Sequence, residues 1–321
     1  MRKLDLDALR ADLAAVTQMM REAEENGDPV GKLQWAHRRS EIETELQRLL
    51  GTPAHTAGVA LFFGGSPVIG SQGIKADFAG RSLETFQDLI SKRFAMLEGG
   101  DMGSRGPVRF KPCTQMMVTD VARGSFGFML EEAAENETLT DTPLKHAVDD
   151  ISVLVVRVTA PDDALFEEAV EEMDPRMLGA LREFFRNLDD AAATLRLVEG
   201  ERDVSFYGPD IHRARLRTEE TEIRELQDDT VIGKLIGLIP SHRKFELRRS
   251  ATGEVIYGAV AADLSRSYQA DLDAGIGNPI GRTWRTRMKI REVTERNRPS
   301  KRAYTLVGLL QEVADSGATS S

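Results

Sequence analysis

The sequence predicts an α+β protein in three parts: an N-terminal helical hairpin, a central α+β domain and a small C-terminal β-barrel of SH3-like or OB-like type. Three observations carry this. Apolar residues recur at three- and four-residue steps through residues 4–50. The middle of the chain switches repeatedly between that helical period and the two-residue period of strands. Residues 231–310 hold five short strand patterns, with fifteen Lys or Arg against seven Asp or Glu, a net of +8 in a chain of net −10. A basic module joined to an acidic body is the arrangement expected of a domain that meets an anionic partner.

At 321 residues the chain is long enough for more than one domain with its own core. Its 41% apolar and 29% charged residues are those of an ordinary soluble protein. No apolar run approaches the roughly 20 residues of a membrane helix. Residues 1–10 alternate charge with leucine and lack the apolar centre of a signal peptide. A cytoplasmic location with no membrane contact is the expectation. The single cysteine, Cys113, excludes an internal disulfide and a thiolate-rich zinc site, and beside Pro112 it is expected to be a buried small hydrophobe. The five histidines show no ligand spacing, so no metal and no cofactor are expected.

The hairpin, residues 1–50, rests on Leu6, Leu9, Leu13, Val16 and Met20 along one stripe, and on Leu33, Trp35, Ile42, Leu46 and Leu49 along the next. Between them, Gly27 stops one helix, Asp28 caps the second and Pro29 occupies its first position. The coiled-coil-like pattern leaves two outcomes open, packing on the chain's own body or homo-oligomerisation through residues 4–50.

The central domain is expected over residues 56–220. Residues 59–63 and 67–70 flank Gly64-Gly65-Ser66, a hairpin signal. Ser82 is expected to cap a helix carrying Leu83, Phe86, Ile90, Phe94 and Leu97, ended at Gly99-Gly100. Extended runs follow at 107–111, 114–121 and 125–131. Thr142-Pro143 opens a helix, although residues 151–158 are β-branched enough to be a strand. Helices at 163–173 and 176–190, a hairpin of 193–199 with 203–207, and a helix over 210–222 complete the domain. Residues 219–229 hold six carboxylates against Arg224, which marks a boundary and could fold back on the basic surface.

Within the barrel, residues 230–310, the clearest strand is 283–292. Trp284, Thr286, Met288 and Ile290 share one face, while Arg285, Arg287, Lys289 and Arg291 share the other. Four cations in a row repel one another, and phosphates would relieve that repulsion. Edge strands also carry Lys and Arg simply to discourage aggregation. Phe245, Tyr257, Trp284 and Tyr304 mostly follow the apolar phase, unlike the exposed aromatics of single-strand binders. Residues 311–321 are expected to be a disordered tail.

The loop at 99–106 lacks the spacing of a phosphate-binding loop, and the turn at 123–127 lacks that of a nucleophile elbow. Adjacent carboxylates such as Asp149 and Asp150 point in different directions on a helix, which makes them poor acid–base partners. The runs PVIGSQGIKADFAG, ARGSFGF and GKLIGLIPSHRKFEL resemble segments of uncharacterised bacterial proteins, some from mobile-element or defence gene neighbourhoods. That resemblance implies no fold, activity or site residue. The function expected is a non-enzymatic adaptor or regulatory protein that self-associates and holds nucleic acid or an acidic protein surface. Arg285, Arg287, Lys289 and Arg291 would carry that contact, supported by Arg243, Lys244, Arg248 and Arg249. The alternatives are an enzyme with a pocket in the central domain near 99–106 and 123–127, and a structural subunit of an oligomer whose basic face is buried against residues 219–229 or a neighbouring chain.

Overall fold

Two antiparallel helices, α1 (Arg2–Glu25) and α2 (Pro29–Gly51), open the chain. The computed structural model describes residues 2–51, 54–70, 72–99, 106–122, 126–133, 138–239, 243–274, 277–296 and 298–314. Gly27 turns the chain at φ 67°, and the Asp28 carboxylate accepts from the backbone N–H groups of Val30 at 3.1 Å and Gly31 at 2.9 Å. Leu6 and Val16 pack against Ile42 and Leu46, joined by Leu9, Leu13, Trp35 and Leu49. Most of the two stripes thus cover one another within the hairpin, while Leu33 is 74% exposed. Leu4 reaches further and packs with Phe62 and Met129 on one face of the central sheet.

In chain order there follow β1 (Gly58–Gly65), β2 (Val68–Ile69), β3 (Gly73–Ile74), α3 (Ala76–Gly99), β4 (Met116–Ala122) and β5 (Phe126–Glu132). Next come α4 (Pro143–Thr159), α5 (Asp163–Glu171), α6 (Pro175–Asp190), β6 (Ala193–Glu199), β7 (Arg202–Phe206), α7 (Gly208–Glu220) and β8 (Thr221–Glu225). The sheet is antiparallel throughout, in the order β4-β5-β1-β6-β7. Residues 59–63 are buried in succession, which requires cover on both faces. One face receives α3, α4 and α6, where Phe86, Ile151, Phe184 and Leu181 are fully enclosed. On the other face Arg196 lies over the Phe62 ring, 5.1 Å from its centre, while forking onto Asp203.

Several local expectations give way to tertiary context. The glycines at 64–65 do not join β1 to β2. β1 pairs instead with β5 and β6, because its buried run needs a partner at each edge, and β2 pairs with β3. Helix α3 begins at Ala76, so Ser82 is internal, and its hydroxyl accepts from Asn187 at 2.8 Å. Residues 151–158 are helical: Thr142 caps the segment, accepting from Lys145 N–H at 3.1 Å, and the β-branched side chains pack on the sheet. Residues 107–111 form no strand. A 3-10 turn over Lys111–Thr114 buries Thr114 against Ser91 at 2.7 Å and leaves Cys113 exposed, contrary to its expected burial.

The C-terminal strands are β9 (Asp229–Ile239), β10 (Lys244–Arg249), β11 (Val255–Val260), β12 (Thr283–Glu295) and β13 (Lys301–Glu312), with α8 (Ala262–Asp273) after β11. They close into a five-stranded barrel in the order β13-β11-β10-β9-β12, with β12 pairing back to β13. Leu235, Leu247, Met288, Leu306 and Phe245 fill it. Of the two expected barrel types the connectivity is the OB-like one. The β11–β13 pair is parallel, which a meander of hairpins cannot produce, and a helix separates the third and fourth strands. Closure depends on Gly258: a Cβ there would lie 2.1 Å from the Tyr304 carbonyl oxygen. Gly258→Ala is therefore expected to cost about 1–3 kcal/mol of stability, read as a lower midpoint in chemical denaturation with strand content retained below the transition.

Candidate anion-binding surface of the barrel

Strand β12 is longer than the barrel wall, and this divides its cations. Its first half pairs with β9 and its second half with β8. Arg285 and Arg287 fall in the first half and are exposed. Lys289 is half-buried and already engaged in a contact. Arg291 is only 4% exposed. Its guanidinium donates to the carbonyl oxygens of Met173 and Glu171 and to the Thr305 hydroxyl, at the C-terminal end of α5. A cation there meets the negative end of the helix dipole. Alternation along the strand places the four cations in one phase, and the helices packed beyond residue 289 remove Arg291 from solvent.

The supporting cations divide in the same way. Arg243, at φ 49°, donates to the Leu97 carbonyl oxygen at 3.4 Å. Lys244 pairs with Glu172 at 2.9 Å. Arg249 sits over the Tyr304 ring, 5.5 Å from its centre, and lies 3.8 Å from Glu254. Arg248 is exposed. Further cations of the module hold α5: Arg298 pairs with Asp163 at 2.7 Å and Glu167 at 2.5 Å, and Lys301 pairs with Glu167. The acidic seat of the barrel is thus α5 and the residue after it. Among the described residues, the barrel takes one ion pair from residues 219–229, Arg296 with Glu220 at 3.1 Å, and the strand β8. Glu219 is held by Arg186 and Arg215 instead. β8 pairs with β12 from Arg291 onwards, so it does not cover Arg285 or Arg287.

What remains is one outward face over β12, β9, β10 and β11. Lys234 and Arg248 stand directly opposite in the β9–β10 ladder, both exposed. Arg285 stands opposite Ile232, and Arg287 opposite Thr230. Among the described residues, the side chains of Lys234, Arg248, Arg285, Arg287 and Arg302 have no hydrogen-bond or ion-pair partner. Like charges directly opposite in a ladder repel. On β11, Tyr257 points outward and is 65% exposed, level with Glu246 and diagonal to Lys244 and Arg248. Phe245 is buried, and the Trp284 indole N–H donates to the Pro279 carbonyl oxygen at 3.0 Å. Lys234, Tyr257, Tyr304 and Arg302 are the site residues that sequence reasoning passes over. The signal for Lys234 is its place in the outward phase, between Gly233 and Leu235, of a strand otherwise rich in apolar residues.

Beside this face β11 and β13 part. They pair only from Gly258 to Val260 against Tyr304 to Leu306, and the gap before that is a groove of about 380 Å³. Lys244, Arg249, Arg302, Tyr257 and Tyr304 line it together with Glu171 and Glu254. Burial pushes the Glu171 carboxyl up, with Lys244 and Lys301 opposing.

The expected enzymatic alternative placed a pocket by the turns at 99–106 and 123–127, and residues 100–105 and 123–125 lie outside the described residues. The most perturbed carboxylate of the central unit lies elsewhere. Glu199, at the end of β6, is 6% exposed and pairs with Arg202 at 2.5 Å. Burial, then a hydrogen bond and charge shared with Asp149, push it up to about 7, against Arg202 and Lys145. Among the described residues no group of three His, Cys, Asp or Glu side chains could hold a metal ion, and no helix is long and apolar enough to cross a membrane.

Because folding raises the Glu199 value, its contribution to stability is complete below the ordinary glutamate range and is lost as pH rises through about 7. Glu199→Gln should therefore melt higher than the unchanged protein at pH 8, with the gap closing by pH 5, in paired thermal melts. Comparison of the chain with protein-family models, with curated proteins and with solved structures finds no match.

Proposed function

We propose that this protein is a non-enzymatic binding protein that holds single-stranded nucleic acid across the outer face of its OB-like barrel. The observation that carries the reading is the set of unpartnered cations on that face. Lys234, Arg248, Arg285 and Arg287 have no side-chain partner among the described residues. The cations turned toward the central unit, by contrast, are paired with Asp163, Glu167 and Glu172. Phosphates would remove the Lys234–Arg248 repulsion, and each neutralised phosphate releases counterions.

The exposed ring of Tyr257, diagonal to Lys244 and Arg248, favours a single strand, whose unstacked bases can lie on an aromatic face. Barrels of this connectivity use the face of their second and third strands, here β10 and β11, for such chains. That likeness is one of topology. The charge and the exposed ring carry the argument.

The test is fluorescence anisotropy with labelled single-stranded and duplex oligonucleotides over a salt series. The unchanged protein should bind the single strand, with an affinity that falls log-linearly with salt. Replacing Lys234, Arg248, Arg285 and Arg287 with Ser should reduce that slope by about 3, given roughly 0.7 for each phosphate contact on a single strand. Absence of binding at low salt rejects the reading and turns attention to an acidic protein partner.

A further inference from the structure

The groove where β11 and β13 part is chemically unlike the face beside it. The face is mainly cationic, with Glu246 between Lys244 and Arg248, whereas the groove sets Lys244, Arg249 and Arg302 against Glu171 and Glu254. A bare phosphate or polyphosphate would be repelled by the two carboxylates. The groove suits a ligand that carries negative charge at one end and amine donors at the other. Its volume of about 380 Å³ is that of a small-molecule pocket.

Two further features narrow the occupant. Tyr257 stands at the rim and is 65% exposed, while Tyr304 lines the interior beneath the Arg249 guanidinium. Flat apolar surface is therefore present at both levels. The Arg249 Nε is a buried donor with no partner among the described residues, in a side chain that lines the groove. A buried donor left unpaired is costly, so a turn of the Arg249 guanidinium that brought it to a ligand oxygen in the groove would be favoured.

Resting on the single-strand reading above, we infer that this groove admits one unstacked nucleotide of the bound strand and selects bases with an exocyclic amine, cytosine and adenine over thymine. In this arrangement the base lies against Tyr257, and its amine donates to the Glu254 carboxylate. Arg302 and Arg249 meet the sugar–phosphate oxygens. Carboxylate side chains are suited to accept from such base amines, and thymine presents none. Glu254 and Tyr257 reach the groove from the exposed side, with 59% and 65% exposure, so replacing either leaves the barrel core untouched.

The experiment uses the full chain with labelled oligo(dC), oligo(dA) and oligo(dT) of equal length at one fixed salt concentration. The unchanged protein is expected to bind oligo(dC) and oligo(dA) about 5- to 100-fold more tightly than oligo(dT). Glu254→Ala, which removes the acceptor, should erase most of that ratio while leaving the salt slope unchanged. Tyr257→Ala should weaken every oligomer by roughly 5-fold or more. Circular dichroism and thermal melts of both variants establish that they are folded. Equal binding of the three oligomers, with Glu254→Ala silent and the four-cation variant still defective, overturns the groove assignment and leaves the face assignment standing. No binding of any oligomer by the unchanged protein overturns both.

Discussion

The architecture depends on the seating of the basic barrel on the acidic helix α5, and Arg291 is the centre of that seat. Its guanidinium is enclosed at 4% exposure and donates to two carbonyl oxygens at the end of α5 and to the Thr305 hydroxyl of β13. An enclosed guanidinium is tolerated only where its charge is answered and most of its donors are used. Here helix-terminal carbonyls, which lack partners within their own helix, provide that answer. Arg298, Lys301 and Lys244 pin the rim of the same contact to Asp163, Glu167 and Glu172.

This seat decides which charges are left without an intramolecular partner. Cations on the α5 side are spent on intramolecular pairs, and those on the far side of β12, β9 and β10 are not. The same division explains why the groove is of mixed sign. It lies at the border between the seat and the free face, so Glu171 of α5 enters its wall together with Arg302 of β13. Charge segregation along the sequence thus becomes, in space, a saturated side and a free side of one barrel.

Strand periodicity made the inward and outward phases of β12 legible, and the capping residues around Gly27 and Thr142 marked helix starts correctly. The barrel was legible as five strands, because turn signals separate alternating patterns. Its closure was not, since the parallel β11–β13 contact joins segments separated by α8 and β12. Of the candidate site, Arg248, Arg285 and Arg287 were recoverable from phase alone. Tyr257 was grouped with the apolar phase by neighbourhood, yet its register opposite Glu246 turns it outward.

By itself the sequence determined the alternation of faces, the separation of charge between body and barrel, and the positions of most turns. These are properties of adjacent residues, set by backbone geometry and side-chain chemistry. Only the tertiary structure decided that β1 is a central strand, that residues 151–158 are helical, and that Arg291 is enclosed while Arg285 is free. Each of those outcomes follows from what packs on the residue from a distant part of the chain. Burial and pairing energies between such segments exceed the local preferences they override.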